Sequence, residues 1–170
     1  AYTLPVKPSP NLNTQQSILL YPSLCLFEGT ILSQGRGTYF PFTVLGAPAL
    51  KGKYSFSFTP ISIKGMAETP LHMNKACFGL DLRNYDMNGL IKERKINIQW
   101  MMDLYKAYPD KSKFFDRTQS NQMGDINKLA GVYDFKKQIE GGMSEEDIRK
   151  TWEPALSAYK ETRSKYLIYP

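Results

Sequence analysis

Glu28 is the acidic residue whose position most favours acid or base chemistry. It is the only Asp or Glu among the first 67 residues, and it lies between the apolar run LCLF and Gly29. Apolar neighbours partly remove a carboxyl group from water and favour its protonated form, which suits it to general acid or base catalysis. The structural alternative is equally open: Glu28 could pair with Arg36 or accept hydrogen bonds from backbone amides.

Arg36 is the basic counterpart, placed between Gly35 and Gly37 in the segment EGTILSQGRGT. A guanidinium group binds a carboxylate through two parallel hydrogen bonds, so that it suits either a substrate carboxylate or Glu28 itself. The flanking glycines permit a positive φ or a close approach of the backbone to a ligand. The tripeptide alone is a weak signal and does not carry a functional assignment.

Aromatic residues follow this loop directly. Tyr39, Phe40 and Phe42 are candidates for stacking on a sugar ring, and ordinary core packing is an equal alternative for them. Trp100 and Trp152 lie on apolar faces of predicted helices and are expected in the core.

Other chemistries find little support. The single histidine, His72, lies in a linker with prolines nearby, which argues against a catalytic triad and leaves a zinc cage without ligands. Cys25 and Cys77 have no CxxC spacing and are expected to be buried as small hydrophobic residues. No glycine fingerprint for phosphate or dinucleotide binding occurs. We therefore expect neither a metal nor a cofactor.

Composition limits the class of protein. The chain has 170 residues, of which 42% are hydrophobic and 22% charged, as expected for one globular domain or one lobe of a larger protein. The net charge of +6 is spread thinly without a run of Lys or Arg, so we expect no nucleic-acid partner. The apolar stretches are far shorter than the roughly 20 residues that cross a bilayer, which predicts no membrane span.

The first half of the chain indicates loops and short strands. Three prolines predict an extended strap over residues 1–13. Asn13 or Thr14 could cap a short helix through Leu20, which Pro22 would end. Alternating residues predict a strand over 54–59, and a second strand is expected over 76–82.

The second half indicates helices. Apolar spacing predicts helices over 97–108, 125–130 and 133–139, and the segment SEEDI predicts a capped helix start at Ser144. Pro154 should kink or divide that last helix, and the apolar terminal segment YLIYP should dock. The predicted fold is α+β, with a small sheet from the first half and helices from the second half packed on it.

Ordered blocks of sequence resemble a known bacterial family. They are SPNL, LLYPSLCLFEGT, GRGTYFPF, GAP, FTPIS, CFGLDL, KLAG, SEEDIRKTW and YLIYP. Together they are similar to the C-terminal half of the NamZ/YbbC-like exo-β-N-acetylmuramidases, formerly a domain of unknown function, in the version found in Bacteroides-type bacteria. The likeness covers nearly the whole chain.

The resemblance implies a glycosidase of peptidoglycan recycling that releases N-acetylmuramic acid from the non-reducing ends of cell-wall glycan fragments. Residues 1–170 would form a single C-terminal domain, and the cleft would lie between it and an N-terminal Rossmann-like domain absent from this chain. On this expectation Glu28 is catalytic, and the substrate-binding residues are Gly35, Arg36, Gly37, Thr38 and Tyr39. The chain alone should be inactive. The family also implies a periplasmic or secreted protein, with a lipid anchor as an option in the full-length precursor.

Glycoside hydrolysis usually needs two carboxyl groups, about 5 Å apart for retention or about 6.5 to 9.5 Å for inversion. Glu28 would therefore need a partner from the absent domain, or the substrate's own N-acetyl group could serve as the nucleophile. Arg36 could neutralise the lactyl carboxylate of N-acetylmuramic acid. The alternative to a catalytic role is an accessory lobe that binds glycan or supports the interdomain contact without taking part in the reaction.

Overall fold

The α+β fold predicted from the sequence is confirmed in the computed structural model of the chain, which describes residues 5–116 and 125–169. The described ranges contain three strands, β1 (Val44–Ala47), β2 (Ser57–Phe58) and β3 (Cys77–Asp81). The helices are α1 (Gln15–Leu24), α2 (Met87–Glu93), α3 (Gln99–Ala107), α4 (Lys111–Phe114), α5 (Ile126–Ala130), α6 (Phe135–Glu140) and α7 (Glu145–Ser164). There are also two 3-10 turns: Cys25–Gly29 directly follows α1, and Pro48–Leu50 directly follows β1.

The sheet is antiparallel with strand order β1-β3-β2. Leu45 pairs with Leu80. Leu45 also belongs to the main core, the large hydrophobic cluster that the sheet shares with the helices. Val44 points to the opposite face, where it packs with Phe58 and Cys77 in a small second cluster. Successive strand residues alternate between two faces. The three-stranded sheet therefore has helices on one side and a small aromatic cluster on the other.

Helix α1 extends beyond the predicted end. Thr14 caps it, as expected, by accepting a hydrogen bond from the Ser17 amide. The prediction that Pro22 ends the helix is wrong, because the helix continues to Leu24 and passes into the 3-10 turn. Proline removes only one intrahelical hydrogen bond, and the burial of Leu20 and Leu24 on either side of it keeps the helix packed.

The predicted strands and later helices are confirmed with shifts of a few residues. Of the segment predicted over 54–59, only β2 is a paired strand, although its side chains alternate between exposed and partly or fully buried as expected. Three elements, β1, α2 and α4, were not predicted. Ser144 caps α7 through the Asp147 amide. Pro154 does not divide this 20-residue helix, since it lies at an exposed position where water can bind the carbonyl that it leaves free.

The two ends of the chain differ from the core. Residues 5–13 of the predicted strap form no helix or extended sheet strand, and Asn11 donates a hydrogen bond to the Met66 carbonyl at 2.9 Å. The first four residues of that strap lie outside the described residues. The prediction that the terminal segment docks is wrong for residues 166–169, because these side chains are exposed to solvent. Trp100 is buried in the main core and Trp152 packs against it, as predicted. Along the described ranges, no helix combines the length and apolar character needed to cross a membrane.

Candidate functional site

Glu28 and Arg36 lie side by side at the surface. Glu28 Oε1 is 3.3 Å from Arg36 Nη2, and the side chains are 20% and 31% exposed, respectively. The sequence left open whether Glu28 pairs with Arg36, and the structure shows that it does. A partly exposed pair of this kind contributes little to stability, so its main consequence is to hold a carboxylate and a guanidinium group at one accessible place.

The turn that carries Glu28 is fixed by the packing of its neighbours. Phe27 and Leu26 are buried in the main core, and Gly29 lies against the first turn of α5. A Cβ atom added to Gly29 would lie 2.8 Å from the Ile126 amide nitrogen, so only glycine allows α5 to approach this closely. The position of Glu28 therefore depends on an element about 100 residues further along the chain.

The two glycines beside Arg36 have left-handed backbone conformations, with φ of +77° at Gly35 and +81° at Gly37. A Cβ atom would lie 2.7 Å from Val44 Cγ2 at the first and 2.5 Å from Pro70 Cγ at the second. Both positions thus require glycine for conformation and for space. The resulting turn leaves Arg36 partly exposed between two buried residues.

Phe42 and Tyr21 complete the surroundings of Arg36. The guanidinium carbon lies 4.9 Å from the centre of the Phe42 ring, and the Tyr21 ring meets Phe42 edge-on at 5.1 Å. Burial raises the pKa of the Tyr21 phenol, and the negative charge of Glu28 raises it further. Tyr21 was not predicted as a site residue, because Pro22 obscured the helix that positions it.

Gln34 is a second residue that the sequence did not reveal. Its side chain is fully buried, and its amide nitrogen donates to the Phe27 carbonyl at 2.9 Å and to the Leu32 carbonyl. This bond ties the turn of Glu28 to the loop of Arg36. A single glutamine before a glycine is typical of an ordinary surface loop, so no local signal marks this role.

Thr38 and Tyr39 differ from each other although they are adjacent. Thr38 is buried, and its hydroxyl group donates to the Gly35 carbonyl at 2.7 Å and accepts from the Phe40 amide at 3.2 Å. Its hydroxyl proton is therefore used within the loop. Tyr39 is 76% exposed, so it presents most of its ring to solvent.

The prediction that both cysteines are buried holds for Cys77 but not for Cys25, which is partly exposed. Burial raises the pKa of the Cys77 thiol to about 12, which makes this cysteine a poor nucleophile. His72 Nε2 donates to the Ile31 carbonyl at 2.7 Å, and burial lowers the pKa of its imidazole. Within residues 5–116 and 125–169, no group of three His, Cys, Asp or Glu side chains is arranged to hold a metal ion.

The fold and this site define an α+β lobe that presents one carboxylate and one guanidinium group on a glycine-shaped loop. Comparison with known proteins assigns the lobe to a family. Residues 19–169 match the family described as exo-beta-N-acetylmuramidase NamZ, C-terminal. The chain belongs to this family, as its sequence blocks predicted.

Known relatives agree with this assignment. The chain is 32% identical to the peptidoglycan beta-N-acetylmuramidase NamZ of Bacillus subtilis (strain 168), across 96% of this chain and 40% of the relative. A crystal structure of a DUF1343 family protein from Bacteroides fragilis matches with a TM-score of 0.87 and 40% identity, covering 99% of this chain and 45% of that one. A second DUF1343 protein from the same organism, at 17% identity and a TM-score of 0.67, shares the fold. The chain spans less than half the length of each of these proteins.

Proposed function

We propose that this chain is the C-terminal lobe of a peptidoglycan glycosidase that releases N-acetylmuramic acid from the non-reducing ends of cell-wall glycan fragments. Family membership supports the glycosidase class, and the Glu28–Arg36 pair is the observation that carries the site. In this proposal residues 1–170 form one domain, and an N-terminal Rossmann-like domain closes the cleft over the loop. The protein would work in the periplasm or outside the cell, where its glycan partners occur.

In this proposal Glu28 acts as the general acid or base. Its carboxyl group is partly exposed and lies at the end of a buried apolar turn, so substrate can reach it while part of its surroundings excludes water. Hydrolysis of a glycosidic bond needs a second group on the other side of the sugar. That group would be a carboxylate of the N-terminal domain or the acetamido group of the substrate itself.

Arg36 selects the substrate through its lactyl carboxylate. In the described part of the chain, the hydrogen bond to Glu28 uses Nη2 alone, which leaves other N–H groups of the guanidinium fork for a ligand. A carboxylate bound there would compete with Glu28 for the positive charge and release the Glu28 carboxyl group for proton transfer. Substrate binding would then itself prepare the acid or base.

A non-catalytic accessory lobe is the second candidate. The observation that favours it is that Glu28 already has a cationic partner and Thr38 already has its hydrogen bonds. Under this alternative residues 25–43 bind glycan or the other domain, and all catalytic groups lie outside this chain.

Product analysis tests the proposed function. The intact protein that contains this chain should release free N-acetylmuramic acid, one unit at a time, from peptide-free glycan strands, and the 170-residue chain alone should release none. Mass spectrometry of the products would show this directly. Internal cleavage into larger fragments, or no cleavage by the intact protein, would contradict the proposal.

A further inference from the structure

A pocket of about 260 Å³ is lined in part by the loop that follows Arg36. Its walls come from the loop (Gly37, Thr38, Tyr39 and Phe40), from β2 and its neighbours, and from Arg83 after β3. Glu28 and Arg36 do not line it. The pocket therefore includes part of the predicted substrate-binding loop but not the Glu28–Arg36 pair.

Arg83 is held rigidly in this pocket. Its Nε and Nη2 atoms donate to the two carboxylate oxygens of Asp81 at 2.8 and 2.7 Å. Its guanidinium carbon lies 4.8 Å from the centre of the Phe40 ring and 5.3 Å from that of Phe56. A planar group fixed by a bidentate ion pair and two rings loses little freedom when a ligand binds. Because its side chain is 44% exposed, it can still contact that ligand.

Tyr39 is the most exposed of the aromatic residues that line the pocket. Its ring is mostly exposed, whereas Phe40 and Phe56 are partly buried under Arg83. The surface thus combines a free aromatic face with a paired Arg–Asp group that offers both donors and acceptors. A pyranose ring has the matching character, since it presents apolar C–H groups on its faces and hydroxyl groups around its edge.

We infer that this pocket is a second saccharide subsite, which holds the sugar ring next to the one bound at Glu28 and Arg36. The inference rests on the proposed function and deepens it. Tyr39 is three residues from Arg36, so their Cα atoms are at most roughly 11 Å apart. Neighbouring rings of one glycan strand can bridge this span. A disaccharide would therefore fill both subsites and bind more tightly than N-acetylmuramic acid alone.

Binding measurements on the 170-residue chain test the inference without depending on activity. Isothermal titration calorimetry with N-acetylmuramic acid and with a peptide-free disaccharide that carries N-acetylmuramic acid at its non-reducing end should show tighter binding of the disaccharide. Tyr39→Ala should lower the affinity for the disaccharide by about tenfold and remove its advantage over the single sugar. Arg83→Lys, which keeps the charge but loses the bidentate geometry, should act in the same direction. The matched control is Tyr133→Ala, which removes a tyrosine that is 94% exposed and does not line this pocket.

The outcomes separate this inference from the proposed function. Equal affinity of Tyr39→Ala and Tyr133→Ala for the disaccharide would overturn the subsite. A loss of affinity confined to disaccharides that carry stem peptides would also overturn it, because the pocket would then bind peptide. In the intact protein, the ratio of kcat/KM for the disaccharide over a methyl β-N-acetylmuramide should fall about tenfold in Tyr39→Ala. Wild-type protein that releases no N-acetylmuramic acid would refute the proposed function, and the binding comparison would still decide the subsite.

Discussion

The loop region (residues 25–43) and the outer part of α7 (residues 153–164) are opposites in structure. The loop region contains only one 3-10 turn as regular structure, yet Tyr39 is its only exposed residue. The outer part of α7 is regular helix throughout, yet every residue in it is exposed except Ser157, which is partly buried. The region with regular secondary structure is thus the less buried of the two. The proposed site lies in the irregular one, where tertiary contacts fix the positions of side chains.

Different interactions hold the two regions. Helix α7 begins with local pairs such as Lys150–Glu146 at 2.9 Å, and its one fully buried residue is Ile148. Exposed pairs of this type are surrounded by water and contribute little to stability. The loop region is held instead by buried side chains and by bonds to distant segments, among them the His72 contact to Ile31. Substitutions should therefore cost far more in the loop region than in the outer part of α7.

The largest expected effect is that of Phe42→Ala. Phe42 is almost fully buried and supports both Tyr21 and Arg36. Removal of a buried phenylalanine ring lowers the free energy of unfolding by about 3–5 kcal/mol. Urea denaturation of the chain measures this loss, and a value below about 1 kcal/mol would show that the loop region is not held by its core contacts.

An intermediate effect is expected from His72, through pH. Burial lowers the pKa of His72 from the ordinary value of 6.5. As the pH falls through about 6.5, the imidazole of His72 therefore binds a proton in the unfolded chain but remains neutral in the folded chain. The stability of the fold decreases as a result. The decrease stops once the pH is below the folded-state pKa, where both states are protonated. Stability is thus highest above this window.

Denaturation curves between pH 7 and pH 5 measure this dependence. Because His72 is the only histidine in the chain, the slope should disappear in His72→Gln. If the slope persisted unchanged in this variant, the pH dependence would come from other groups, and the burial of His72 would not explain it.

The smallest effect is expected from Tyr159→Ala in the outer part of α7. This tyrosine is exposed, and surface substitutions usually change stability by less than about 0.5 kcal/mol. It is the aromatic-to-alanine counterpart of Phe42→Ala, so the ratio of the two losses measures the contrast between the regions. Similar losses at both positions would refute the contrast.

The sequence predicted the elements whose pattern is local. A strand was predicted over 76–82 and, from helical spacing, a helix over 97–108. Strand β3 and helix α3 confirm both within about two residues. Strand β1 was missed because Val44–Ala47 is short, contains a glycine and is buried at all four positions, so it shows no alternation. Pro22 caused the opposite error, because it predicted a helix end that the structure does not have. The burial of Leu24 outweighs the local tendency of proline to end a helix.

The candidate site was predictable only in part, for the same reason. Residue types and the resemblance to the family pointed to Glu28 and Arg36, but only the folded loop decides that they pair. Tyr21 and Gln34 support that pair from α1 and from within the loop, and Arg83 lies beyond β3. Their positions depend on contacts between distant segments, which no spacing in the sequence encodes.

The central claim is that Glu28 serves the reaction and not the fold, and turnover by Glu28→Gln tests it most directly. The exposed Glu161→Gln on α7 is the matched control. In the intact protein acting on a chromogenic N-acetylmuramide, Glu28→Gln should lower kcat by about 100-fold or more, within the range that general acid or base catalysis contributes. Its free energy of unfolding should change by less than about 1 kcal/mol. Near-normal turnover of Glu28→Gln, at the level of the Glu161→Gln control, would contradict the claim.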